Sequence, residues 1–490
     1  MNFRGNVIIM EKSRSMQIFI LLLISFIFVT VFSYSTSPLY GNICDNPDPA
    51  IFQIIGKYWA EGILPYRDLW DLKGPYIFWV NAIGYYLFDS YIGVYIIQII
   101  NLWFILIITF LTYRLYFQTI YALLLCLLSL FSLSYSYQCG NLCEEYLLLF
   151  LSISFYFLLK YIKKVEIQNN YYHCPYVAII YGIVLGLSLM SRLTNALSVC
   201  GAVAVVSIIL IIHQCYDNLF KNFLFFFIGF AISSFPFIVY FYLNDALDLL
   251  WNGILFYPLQ YASNSTKDMS DVGIHFFLLS FGNSILLLFI SVIAIYRQHQ
   301  FYFRYIIWFL ASLLPFIWFC QGNGFGHYGM TVFPLFTISL IEMKRLRMKK
   351  LFIFIVFLVF IGFLSKLRFA FHMRNYQNSS VIAYKEFLKD VHNINYNSFV
   401  TYNCDPNFYI AENIKPAVSF FSLQDFAIKR NENLREEIVK AFTEKHPQWI
   451  LLEYDNEIIP AIHGLLNHHY QIVKYNKVNK LTLYKYYDDY

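Results

Sequence analysis

From Gln17 to Leu364 the chain is a succession of apolar runs broken by short polar loops. That pattern leaves few options. In hydrocarbon every backbone amide must be bonded inside the protein, so such runs fold as helices that cross a bilayer. A crossing needs roughly 17–25 mostly apolar residues, fewer where loops and interfaces take the rest. The runs predict spans at Gln17–Tyr34, Tyr91–Tyr113, Ile120–Ser136, Tyr146–Tyr161, Tyr176–Met190, Leu197–Ile212, Phe223–Leu243, Ile274–Tyr296, Tyr305–Phe319, Met330–Ile341 and Leu351–Leu364. The composition agrees: 13% of residues are charged, about half the share usual in soluble domains. The 42 Tyr suit membrane interfaces, where the ring is buried and the hydroxyl is wet.

The loops carry a charge asymmetry that sets orientation. With the N-terminus and its Arg4, Lys12 and Arg14 in the cytoplasm, alternation gives the inner loops most of the bases. These are Arg114, Lys160, Lys163, Lys164, Lys221, Arg297, Arg304, Lys344, Arg345, Arg347, Lys349 and Lys350. The outer loops then collect the acids Asp45, Asp48, Asp68, Asp71, Glu144, Glu145, Asp245, Asp248, Asp268 and Asp271. No small-residue cleavage site follows the first span, which reads as an uncleaved anchor. The apolar stretch Pro75–Phe88 is short for a crossing and would invert every later side, so it reads as a helix in or dipping from the outer interface. The net charge of +5 is spread over short loops, which argues against a nucleic-acid surface. The nine Cys include no C-x-x-C pair; Cys139 and Cys143 come nearest and read as apolar packing.

Past Leu364 the composition turns polar. The expected organisation is an all-α polytopic membrane protein, residues 1–366, with a small extracytoplasmic α/β domain at 367–490. In that domain the pattern predicts helices at Ser380–Val391, capped by Ser379 or Ser380, Asn433–Thr443 and Pro460–Asn467. It predicts strands at Ser398–Tyr402 and Trp449–Glu453, and a hairpin from Tyr470–Tyr475 and Leu481–Tyr486.

Chemistry, on this reading, gathers on the outer face. The first outer loop, 37–74, interleaves Asp48, Asp68 and Asp71 with Arg67 and Lys73. Acids and bases mixed at a membrane surface can serve as general base and anion clamp; the plain alternative is a loop held by its own ion pairs. Within it, Ala50–Ala60 places Ile51, Ile54, Ile55 and Tyr58 on one face, as a helix lying along an interface would. Asn141, Glu144 and Glu145 sit at the mouth of the fourth span, where acids near hydrocarbon need partners. Arg192, between the fifth and sixth spans, is a partner for Glu144 or for a phosphate, or snorkels to water. His327 and Tyr328 precede the tenth span in GNGFGHYG. The G-x-G there follows no strand, which argues against a dinucleotide loop.

Asp48, Gly62, Pro65-Tyr66-Arg67-Asp68, Asp71 and Lys73-Gly74-Pro75 together resemble the first outer loop of GT-C membrane glycosyltransferases. The nearest group is the bacterial family 39 and RgtA/B/C/D-like enzymes, relatives of protein mannosyltransferases and of the aminoarabinose transferase of lipid A. The resemblance spans roughly Ile18 to Ile341. It departs where Pro49 follows Asp48, where Leu72 precedes Lys73, and where Gly74 stands in place of a first proline. It implies a GT-C-like fold of about eleven membrane helices and an enzyme in a bacterial cytoplasmic membrane. That enzyme would move a sugar from a polyprenyl-phosphate donor to a glycan, lipid or protein acceptor with inversion. Asp48 would be the catalytic base. Arg67, Asp68, Asp71, Lys73, Asn141, Glu144, Glu145, Arg192, His327 and Tyr328 would bind substrate or phosphate. The resemblance leaves a divalent metal ion open as cofactor. The competing readings are a flippase for a lipid-linked glycan, for which the expected internal repeat is missing from the sequence, and a non-enzymatic scaffold.

Overall fold

The computed structural model describes residues 2–41, 44, 46–264, 274–297, 302–321, 325–453 and 460–487. Asp45, Asp268 and Asp271 lie outside them. All eleven expected spans fall on helices. Among the described residues, eight helices are long and apolar enough to cross a membrane. Pro175–Leu189 is a shorter apolar helix, and only part of Ile274–Arg297 qualifies, also as a shorter one. Met330–Ile341 divides between a 3-10 turn, Gly326–Val332, and a 13-residue helix, Phe333–Arg345. The last long helix, Lys349–Met373, runs through the boundary read at 366–367.

The chain divides into two compact units. The first comprises Met1–Ser33, Tyr95–Val239 and Lys267–Met373. Its helices meet through small residues, as packing in lipid favours. A Cβ on Gly182 would lie 1.9 Å from the Phe226 carbonyl oxygen, and one on Gly229 would lie 2.0 Å from that of Ile179. Only glycines let Pro175–Leu189 and Tyr216–Leu243 come this close. At another point three helices are tied by charge. Arg304 is fully buried, 2.6 Å from Glu342 and 3.0 Å from Glu166. Arg345 also reaches Glu166, at 2.9 Å. Two of the cations read from sequence as loop charges are therefore held in ion pairs, which lets Arg304 stay in an apolar interior. Large apolar side chains such as Phe354, Phe357 and Ile361 stay exposed on the last long helix, as lipid contact requires.

The second unit comprises Tyr34–Val94, Tyr240–Thr266 and Arg374–Tyr490. Its sheet has four strands, β1 Phe399–Tyr402, β2 Trp449–Glu453, β3 Tyr470–Asn476 and β4 Leu481–Tyr486, in the order β1-β2-β4-β3. β1 and β2 are parallel, and the other pairs are antiparallel. The strands and helices fall close to their expected places. The cap of helix Ser379–Leu388 does not: Asn378, whose side chain accepts from the Val381 amide, takes the role expected of Ser379 or Ser380. The short helices Asn407–Ala411 and Gln424–Arg430 had no periodic signal.

In the same unit, helix Pro47–Ala60 packs on helix Pro75–Phe88. Gly56 faces Asn81 so closely that a Cβ would sit 2.4 Å from the Asn81 Cβ. Asn378 and Asn407 both donate to the Cys44 carbonyl, at 3.2 and 3.1 Å. Trp70 donates its amide to the Ser419 carbonyl at 3.0 Å. The loop 37–74 and the C-terminal segment thus form one body. This overturns the picture of a one-sided interfacial helix: Ala50, Phe52, Gln53 and Gly56 are buried along with Ile51, Ile54, Ile55 and Tyr58. Neighbours supplied from distant sequence cover the faces expected to be wet.

Candidate active site

In the second unit, Asn46 caps helix Pro47–Ala60 by accepting the Asp48 amide at 3.0 Å. Asp48 therefore sits in the first turn, where the helix dipole favours its negative charge. Lys73 approaches it, Nζ to Oδ2 3.9 Å, with both side chains a little over a quarter exposed. Lys73 is placed from two directions. The Tyr66 hydroxyl donates to the Lys73 carbonyl at 2.7 Å, and the Lys73 amide donates to Asp71 Oδ2 at 3.1 Å. Burial pushes the Asp71 carboxyl up to about 6; Lys73 opposes the rise and Asp48 adds to it. Asp48 thus faces the Lys73 ammonium, while Asp71 holds the Lys73 backbone. Lys73 leads through Gly74 into helix Pro75–Phe88, whose proline starts the first turn.

Arg67 and Asp68 serve the turn itself. Asp68 accepts the Leu64 amide at 3.0 Å and pairs with Arg67 at 3.2 Å. Tyr66 takes a left-handed φ of 68°. Its amide donates to the Leu69 carbonyl at 2.7 Å, so the PYRD segment closes on itself. For these two residues the self-paired loop is the arrangement found.

The first unit holds the rest. Gly140 and Asn141 both have positive φ, 72° and 55°, and turn the chain into helix Cys143–Gln168. Glu145 is buried and fully engaged. It accepts from the Tyr137 hydroxyl at 2.5 Å, from Gln98 Nε2 at 2.8 Å and from the Asn141 amide at 2.8 Å. Asn141 in turn accepts the Tyr146 hydroxyl at 2.9 Å. Glu144, one residue earlier, pairs with Arg192 at 3.3 Å. The Arg192 guanidinium carbon lies 3.2 Å from the centre of the Tyr328 ring, a cation–π contact. His327 Nδ1 is 3.0 Å from Gln138 Oε1. Of the two partners open to Arg192 from sequence, the structure supplies Glu144. Among the described residues, no group of three or more His, Cys, Asp or Glu side chains is placed to share a metal ion.

Residues 72–242 match the family model of dolichyl-phosphate-mannose-protein mannosyltransferases. The chain is similar to the crystal structure of ArnT from Cupriavidus metallidurans bound to undecaprenyl phosphate. The TM-score is 0.59 at 10% identity, over 96% of this chain and 98% of that one. The chain shares the fold of that structure. A looser likeness, with a TM-score of 0.43 at 12% identity, is to the Archaeoglobus fulgidus oligosaccharyltransferase in complex with zinc and sulfate. It covers 94% of this chain and 72% of that one. No curated protein matches the chain in sequence.

Several residues that build these polar clusters were given no role from sequence. Gln98, Tyr137 and Gln138 hold Glu145 and His327, and Tyr66 and Asn46 hold Lys73 and Asp48. One signal pointed to Gln98: an amide in the middle of the apolar run Tyr91–Tyr113 is costly in lipid unless paired. Tyr137, among 42 Tyr, carried no such signal.

Proposed function

We propose that this chain is a membrane glycosyltransferase that takes a sugar from a polyprenyl-phosphate donor and passes it to a glycan, lipid or protein acceptor outside the bacterial cytoplasm. The observation that carries the reading is the Asp48–Lys73 pair, 3.9 Å apart, in a chain of this fold. At that distance the ammonium does not seal the Asp48 carboxylate, which keeps lone pairs for a substrate. Asp48 takes the proton of the acceptor hydroxyl as its oxygen attacks the anomeric carbon. The bond from that carbon to the phosphate oxygen breaks, and the phosphate leaves with the electron pair. Lys73 stabilises the charge that builds there. Direct displacement inverts the anomeric centre. Asp71 holds Lys73 in place through the Lys73 amide. Purified protein in liposomes, given a polyprenyl-phosphate sugar and envelope extract, should release free polyprenyl phosphate. Release absent here, together with unchanged surface glycans in cells lacking the protein, would sink the reading.

The same charge asymmetry that orders the loops supports an inner N-terminus and an outer C-terminus. A reporter active only outside the cytoplasm should work when fused after Tyr490 and stay silent near Lys349. The reverse would place Pro75–Phe88 across the membrane.

A further inference from the structure

Within the second unit, segment 240–257 braces the loop 37–74 from a distant part of the chain. The Trp59 indole donates to the Tyr240 hydroxyl at 2.8 Å. The Tyr66 ring lies 5.6 Å from the Phe241 ring and 6.0 Å from that of Phe78. Trp70 and Tyr257 meet edge to face at 6.1 Å. The tightest approach is at Gly253, where a Cβ would lie 2.6 Å from Tyr66 Cε1 and 3.0 Å from its Cδ1. Gly253 belongs to a π-helical turn, Asn252–Phe256. Such turns are rare and are frequent at functional sites.

The residue so gripped is itself unusual. Tyr66 holds a φ of 68°, a conformation that bulky side chains rarely adopt. Strain of this kind persists only where the surroundings over-determine it. Here Phe78, Phe241 and Gly253 flank the ring, and the ring carries its hydroxyl to the Lys73 carbonyl at 2.7 Å. A carbonyl bonded to water would move with the loop. One bonded to a wedged ring does not. The chain of contacts runs from Gly253 to the Tyr66 ring, to the Lys73 backbone, and on to the ammonium 3.9 Å from Asp48. A methyl group at position 253 would have to displace the ring, and the hydroxyl would leave the carbonyl with it. We infer that Tyr66 and Gly253 are positioning residues: the clearance at Gly253 seats the Tyr66 ring, and the seated ring sets where the Lys73 ammonium faces Asp48. The inference rests on the proposed reaction for what Lys73 does there, and on the contacts alone for how it is held.

The test reads the amine directly. The full chain in detergent is treated with a water-soluble amine-reactive ester, and acylation of Lys73 is followed by mass spectrometry of its peptide, with the exposed Lys477 as internal reference. Only the neutral amine attacks the ester, and a facing carboxylate favours the charged form. Asp48→Asn should therefore speed labelling of Lys73. Tyr66→Phe keeps the ring and loses the donor; Gly253→Ala keeps the donor and moves the ring. Each should raise labelling severalfold toward the Asp48→Asn rate. The two together should go no higher than the larger single effect, because both act through one hydrogen bond. Melting temperature should change little in Tyr66→Phe, and if Gly253→Ala does not fold, Tyr66→Phe alone decides. Labelling unchanged in Tyr66→Phe or in Asp48→Asn, or additive in the double variant, would overturn the inference and leave Tyr66 as packing. In the folded variants kcat should also fall about tenfold or more, with KM less affected, the usual result of a misplaced reacting group. If labelling responds while kcat stays normal, the placement stands and the role given to Lys73 in the reaction fails.

Discussion

Glu145 and Asp48 are both acids in the first turn of a helix, yet the structure leaves them in opposite conditions. Glu145 is buried, and three donors saturate its two oxygens. Asp48 is partly exposed and has the Lys73 ammonium at 3.9 Å. A carboxylate in the first condition has nothing left to offer a substrate, and moving it would strand its donors. One in the second condition can take a proton without dismantling the fold. Position in the first turn of a helix therefore does not separate the two; unspent hydrogen-bonding capacity does, and on the proposed reaction it favours Asp48. Glu144 lies between these extremes, buried like Glu145 but tied to a single partner, Arg192.

The comparison breaks most sharply at Asp48. Asp48→Asn should lower turnover roughly 10²–10⁴-fold, the usual loss for a positioned general base, with little change in melting temperature. Near-normal turnover by the folded variant would remove Asp48 from the mechanism. Arg192→Met should instead be felt in stability. It leaves the Glu144 carboxylate buried and unpaired, which costs about 3–5 kcal/mol in comparable cases. Glu144→Gln should recover part of that loss, so the double variant is non-additive. Additive losses would mean the pair is not the partner that matters.

Glu145→Gln sharpens the contrast from the other side. It keeps the volume but sets an amide against donors, and each stranded donor costs about 1–3 kcal/mol. Melting temperature should fall while turnover per folded molecule stays within a few-fold. A folded variant without turnover would make Glu145 catalytic. The smallest effect is expected at Asp71. Its carboxyl is raised to about 6 by burial, so the folded form holds a proton that the unfolded chain has already lost above its ordinary value near 3.8. Stability should fall as pH rises through that window to about 6, and then level off. Asp71→Asn should flatten this slope, and thermal melts between pH 4 and 7 would show it. An unchanged slope would assign the pH dependence to another group.

Lys73, Arg192 and His327 show how far a reading by residue type can go. Each was legible as a polar residue in an outer loop of an apolar chain. Their partners were legible unevenly: Glu144, 48 positions from Arg192, was open to it from sequence, whereas Gln138, 189 positions from His327, was not. Arg67 and Asp68 looked equal to Lys73 and Asp48 as candidates, and only the closed turn shows that they are paired with each other.

The spans, the sheet strands and the charge asymmetry of the loops were fixed by local properties: hydropathy over about 20 residues, alternation over a few, and the cost of placing charge in lipid. These act on each segment wherever its neighbours lie, so the sequence alone determined them. The burial of helix Pro47–Ala60, the single body formed by the loop 37–74 and the C-terminal segment, and the contrast between Asp48 and Glu145 came only with the tertiary structure. A side chain's spare hydrogen bonds and its exposure depend on which distant residues fold against it, and no local pattern encodes that.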